Sequence, residues 1–69
     1  MSQYHYIDPY VVELLVNGEP VTGAIAPKER RAAALQLSDR GWSAARIAER
    51  VGVSTRTVVR VRAERRNSG

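Results

Sequence analysis

From Tyr10 to Val16 every residue except Glu13 is apolar. The run opens on Asp8-Pro9 and closes on Asn17-Gly18. Aspartate is a good N-cap, and proline suits the first helical position because its missing N–H would be unpaired there anyway. Glycine takes the left-handed conformation that ends a helix. The β-branched Val11, Val12 and Val16 favour a strand, but the start and stop signals agree on a short helix over residues 7–17. Residues 18–26 contain Pro20 and Gly23 and read as a linker. A second helix is predicted from Pro27 to Arg40, with Pro27 in its first turn, Glu29 near the positive end of its dipole and Gly41 after its end. Ala33, Ala34 and Leu37 share one face, while Ala32 and Leu35 lie off it and point toward the N-terminal helix. Ser43 caps a third helix that runs to Val51 and breaks at Gly52. Trp42 and Ile47 flank that cap at the spacing of a hydrophobic staple, which places Trp42 in the core. Ser54 then caps a fourth helix, from Thr55 to about Arg66. Residues 1–6 read as a flexible N-terminus and 67–69 as a frayed end, so the predicted class is all-α.

The segment Ala44–Ala63, AARIAERVGVSTRTVVRVRA, constrains the architecture further. Ala48 is small where two helices must approach closely, and Gly52 takes positive φ without a Cβ penalty. Ile47, Val51 and Val53 are apolar where the third helix and its turn face a core, and Val58 and Val61 share one face of the fourth helix. These positions resemble the helix-turn-helix family. With the preceding helix, residues 27–66 are similar to its three-helix, homeodomain-like form, found in small bacterial and phage regulators and in recombinase DNA-binding domains. The resemblance implies a three-helix helix-turn-helix domain, here preceded by a short N-terminal helix, and double-stranded DNA as partner. Many such domains carry an arginine in the arm before their first helix to enter the minor groove. Residues 19–26 hold no cation, so minor-groove reading by this arm is not expected.

Charge sharpens this picture. Residues 1–27 carry Asp8, Glu13 and Glu19 against no cation, a balance of −3. Residues 28–69 carry all 11 Lys and Arg against Glu29, Asp39, Glu49 and Glu64, a balance of +7. A basic half of this size suits an anionic partner. The chain has no cysteine and a single histidine, His5, so neither a disulfide framework nor a metal site is expected. There is no Gly-rich phosphate loop, no nucleophile paired with a His–Asp constellation and no metal-ligand spacing, and neither an enzyme nor a cofactor is expected. No secretory signal and no membrane-spanning run is visible, so a cytoplasmic protein of a bacterium or phage-infected cell is the expectation.

On the fourth helix, at 100° per residue, Val58 and Val61 point inward with Arg65 near their line. Arg56, Arg60, Ala63 and Asn67 form the opposite stripe. Long donors with small neighbours are what a groove-reading helix needs. Arg56 and Arg60 are the candidates for bidentate bonds to guanine, Thr55 offers a hydroxyl, and Val59 suits a thymine methyl. Helix N-termini favour anions, which makes Ser43 with Arg46 and Ser54 with Thr57 candidate phosphate contacts. Arg62, Arg65 and Arg66 are expected to track the DNA backbone or to lie over the core edge, with Arg62 and Arg66 the candidate phosphate contacts. Lys28, Arg30 and Arg31 read as solvated charges at a helix start. The N-terminal helix is too apolar all round to float in solvent, and two fates are open to it: packing on Leu35 and the second helix as a fourth helix of a monomer, or also meeting its copy in a homodimer. In the second case Val11, Leu14 and Leu15 can meet the core while Tyr10 and Val12 meet the second copy. The functional expectation is a sequence-specific transcriptional regulator or repressor. A recombination or assembly accessory factor and a protein-binding adaptor are the other classes this fold serves.

Overall fold

The computed structural model describes residues 7–68. The expected flexible end at 1–6, with His5, and residue 69 lie outside them. Four helices form: α1 (Pro9–Asn17), α2 (Pro27–Asp39), α3 (Ala44–Val51) and α4 (Thr55–Ser68). Among the described residues there is no strand. α4 runs two residues past the expected end at Arg66.

Local chemistry sets these boundaries. The Asp8 carboxylate accepts the Tyr10 N–H at 3.0 Å, and Pro9 follows at the first position. Gly18, in the left-handed region at φ 75°, closes α1 and sends its N–H to the Leu14 and Leu15 carbonyls. Ser43 accepts the Arg46 N–H at 3.3 Å to start α3, and Ser54 accepts the Thr57 N–H at 3.1 Å to start α4. Ala26 has no side chain able to cap α2, so the cap works from the other direction. Glu29 reaches back to accept the Ala26 N–H at 3.1 Å and, with its second oxygen, the Asp8 N–H at 3.2 Å. One buried carboxylate thereby joins the start of α2 to the start of α1.

The core is one cluster drawn from all four helices: Val12, Leu15 and Val16; Ala33, Ala34 and Leu37; Ile47, Ala48 and Val51; and Val58. Val61 is buried beside it. α2 packs against the other three helices, and α1 touches α2 and α3 without reaching α4. Small residues at Ala33, Ala34 and Ala48 let the helix backbones approach. The phase of α1 differs from the expectation. Val12, Leu15 and Val16 face the core, whereas Val11 and Leu14 are only half-buried and Tyr10 is exposed. The reason is that both ends of α1 are held from outside, by Glu29 on the Asp8 N–H and by Arg50 on the Val16 carbonyl. Val21 and Ile25 of the linker pack against the same cluster, as does Ala32, while Leu35 is half-buried.

Three arginines bond carbonyls at or near helix ends. Arg30 Nη1 donates to the Val51 carbonyl at the end of α3, at 2.6 Å. Arg50 Nη1 donates to the Val16 carbonyl in the last turn of α1, at 2.6 Å. Arg62 donates through Nε to Ser38 Oγ at 2.9 Å and through Nη2 to the Trp42 carbonyl at 2.6 Å, fastening α4 to the α2–α3 turn. A fourth, Arg65, grips Asp39 with two bonds, at 2.8 and 3.2 Å, near the end of α2. Arg30 is therefore a cross-helix cap and not the solvated charge its sequence position suggested. Gly52 sits at φ 83°, a conformation that favours glycine, and a Cβ there would lie 2.9 Å from Arg30 Nη1, so a larger residue would also displace the end of the Arg30 side chain from its cap.

Two outcomes check this packing. Gly52→Val should cost about 1–3 kcal/mol from left-handed strain, and Arg30→Met about 1.5–3 kcal/mol from the lost charge-assisted bond. Because both disturb the same cap, the double variant should lose less than the sum in chemical denaturation; full additivity would show that the two sites act separately. On α4, Arg62→Met should lower stability by about 1.5–3 kcal/mol, whereas the exposed Arg56→Met should stay within about 0.5 kcal/mol of the parent. Equal melting of these two variants would contradict the tether.

Candidate nucleic-acid interface

α1 packs on α2 and α3 and makes no contact with α4, and among the described residues the outer face of α4 is left exposed. On that face Thr55, Arg56, Val59 and Arg60 are exposed. Val59 shows 54% of its surface, a large exposure for an apolar residue in the middle of a helix. Arg56 and Arg60 are one turn apart, about 6 Å along the axis, close to two steps of a duplex strand at about 3.4 Å each. The inward side of the same helix is Val58 and Val61, both buried. The alternation follows from the helical period alone, and the four base-reading candidates share one surface.

The phosphate candidates divide. Ser43 and Ser54 are exposed at the starts of α3 and α4, each already capping its helix. Thr57 is half-buried, its Oγ1 3.0 Å from Ser54 Oγ. Arg46 lies with its guanidinium 4.1 Å from the centre of the Trp42 ring, and Arg50 lies 4.8 Å from it. Trp42 is thus a half-buried plate at the core edge, packed inward and carrying two cations outward. Arg66 is exposed and, like Arg56, its side chain makes no hydrogen bond or ion pair among the described residues. Arg62 takes the core-edge position of its two expected placements: its guanidinium is turned inward onto Ser38 and the Trp42 carbonyl, and these bonds draw it away from the outer face of α4.

Sequence reasoning overlooked one part of this surface. A groove of about 360 Å³ runs between the first turns of α2 and the flank of α4, with Lys28, Arg31 and Arg60 among its lining residues and Ala34, Val53 and Val61 beneath. Arg31 reaches across to Glu64 of α4 at 2.7 Å. The cations that begin α2 therefore join the basic edge of α4. The spacing of cations within α4 reveals its own stripe, but nothing local in the sequence brings α2 beside it.

No helix among the described residues is long and apolar enough to cross a membrane. The homeodomain-like domain family matches residues 26–69, more than half of the chain, and the match takes in α2, α3 and α4. No curated protein and no solved structure matches the chain. Within the matched residues lie the small Ala48, left-handed Gly52 between α3 and α4, most of the shared apolar core and the exposed Arg-bearing face of the last helix. The chain belongs to the homeodomain-like family of helix-turn-helix DNA-binding domains.

Proposed function

We infer that the protein is a small transcriptional regulator or repressor of a bacterium or phage, acting in the cytoplasm, that reads double-stranded DNA with α4 in the major groove. The observation that carries this reading is the contrast between two sets of arginines on one helix. Arg62 and Arg65 turn back onto other elements, to Ser38 with the Trp42 carbonyl and to Asp39, while Arg56 and Arg60 project from the exposed face beside Thr55 and Val59, with Arg60 reaching only Glu64 of its own helix. Arg56 and Arg60 donate to guanine O6 and N7, Thr55 supplies a hydroxyl, and Val59 meets a thymine methyl. Ser43, Arg46, Ser54, Thr57 and Arg66 hold the flanking phosphates, with the N–H groups that open α3 and α4 adding their dipoles. The role is recognition, and it asks for no cofactor and no bond-making chemistry.

One such module covers a single half-site, and a second copy supplies the other half of a palindrome. The homodimer would form through the outer side of α1, where Ile7 and Tyr10 are exposed. Val12 is buried within the protomer and leaves that surface. Selection from a random duplex pool distinguishes the roles: a palindromic winner supports the dimeric regulator, a single short site supports an accessory factor, and no enrichment supports a protein-binding adaptor.

Duplex affinity should fall with salt, at a slope of about −0.9 for each phosphate neutralised, with roughly four to six phosphates for one module. Titrations at several salt concentrations measure this, and a flat response would remove DNA from the proposal.

Arg56→Ala and Arg60→Ala should each lose about 1–3 kcal/mol of discrimination between the selected sequence and its single-base variants. Arg46→Ala should weaken all duplexes about equally. Retained preference in both α4 variants would show that another surface reads the bases.

A further inference from the structure

The basic face of α4 contains its own counter-charge. Glu64 lies one turn beyond Arg60, and its two carboxylate oxygens serve different arginines. Oε1 is 2.7 Å from Arg31 Nη1 on α2, and Oε2 is a looser 3.8 Å from Arg60 Nε. All three side chains are exposed, so screening leaves these pairs little weight in folding. A carboxylate at the edge of a surface that faces phosphates also works against simple attraction. What it can change is the range of positions the arginines sample. An unrestrained arginine is long and flexible, and any phosphate satisfies it. Arg60, 3.8 Å from a carboxylate that is itself bonded from a second helix, is biased toward one part of that range before the duplex arrives.

We propose that Glu64 is a positioning residue that determines specificity: it holds Arg60 in reach of a base edge and penalises placements in which Arg31 and Arg60 only neutralise phosphate. The relay runs from α2 to α4, Arg31 to Glu64 to Arg60, and uses the packing of the two helices to aim one side chain. It rests on the duplex-reading function inferred above.

The test compares the parent, Glu64→Gln, Glu64→Asp and Glu19→Gln on two duplexes. One is the sequence the parent selects from a random pool, and the other is a scrambled duplex of equal composition. Glu64→Gln should bind the scrambled duplex about 3–10-fold more tightly, with a salt slope steeper by about one, as freed arginines find phosphate. Its selected-to-scrambled ratio should fall about tenfold, the scale of one misaimed base contact. Glu64→Asp keeps the charge on a shorter arm, so it should lose the ratio without gaining scrambled affinity. Glu19→Gln makes the same change in net charge in the acidic N-terminal part and should alter neither. In an Arg60→Ala background, Glu64→Gln should leave the ratio where it is. A parent-like ratio in Glu64→Gln overturns the proposal, and so does Glu19→Gln reproducing its effect. A ratio that recovers when a destabilised Glu64→Gln is assayed at lower temperature assigns the loss to unfolding and overturns it too. A parent protein with no sequence preference removes the duplex-reading function itself, whereas a selective parent with an indifferent Glu64→Gln removes only the relay.

Discussion

Short helices have little middle. Each helix leaves about four N–H groups at one end and four carbonyls at the other without intrahelical partners. In α3, eight residues long, the two sets of ends account for the whole element. A chain of 69 residues cannot submerge such groups in a large core, and leaving them unpaired at the core edge would cost about 1–3 kcal/mol each. Here they are met from other helices. Arg30 bonds the last carbonyl of α3, Arg50 bonds one in the last turn of α1, and Arg62 bonds the carbonyl just before α3 begins. Glu29 meets N–H groups at the starts of both α1 and α2. The Arg30, Arg50 and Glu29 contacts each close a helix end and join two parts of the chain at once, and the Arg62 bonds tie α4 to the turn between α2 and α3.

That arrangement determines which surface is left for recognition. α2 is the hub against which the other three helices pack, and α1 covers α2 and α3 on a side that α4 does not share. α4 is anchored from beneath by Val58 and Val61 and near its far end by Arg62 and Arg65. Its outer stripe is then presented by a helix that cannot readily roll or slide. A base-reading side chain must be aimed to a fraction of an ångström, and a helix pinned at several points along its length provides that.

The basic half of the chain has two different meanings once the contacts are known. Arg30, Arg50, Arg62 and Arg65 are structural, bound to carbonyls, a hydroxyl or a carboxylate of the same chain. Arg46 and Arg50 lie on Trp42, where cation and ring attract each other. Lys28, Arg31, Arg56, Arg60 and Arg66 remain on the surface that faces outward along α2 and α4. The excess of positive charge is thus a weaker indicator of an anionic partner than its size implies, and the placement of the exposed subset is a stronger one.

Much of the fold was legible because its signals act within four or five residues. Asp8, Ser43 and Ser54 cap the helices that follow them, Pro9 and Pro27 open α1 and α2, and Gly18, Gly41 and Gly52 take positive φ where each helix stops. The helix-turn-helix frame from Ala44 to Ala63 and the exposed stripe of α4 follow from the same short-range periodicity. The phase of α1, the capping roles of Arg30 and Arg50, the inward turn of Arg62 and the meeting of Arg31 with Glu64 were decided by the tertiary structure. The hydrogen bonds involved join residues 20 to 34 positions apart. An arginine carries five donors on a flexible stem, and its nearest neighbours in sequence say little about which acceptor it will find. That choice is made when packing brings one particular helix end, left without a partner of its own, within reach.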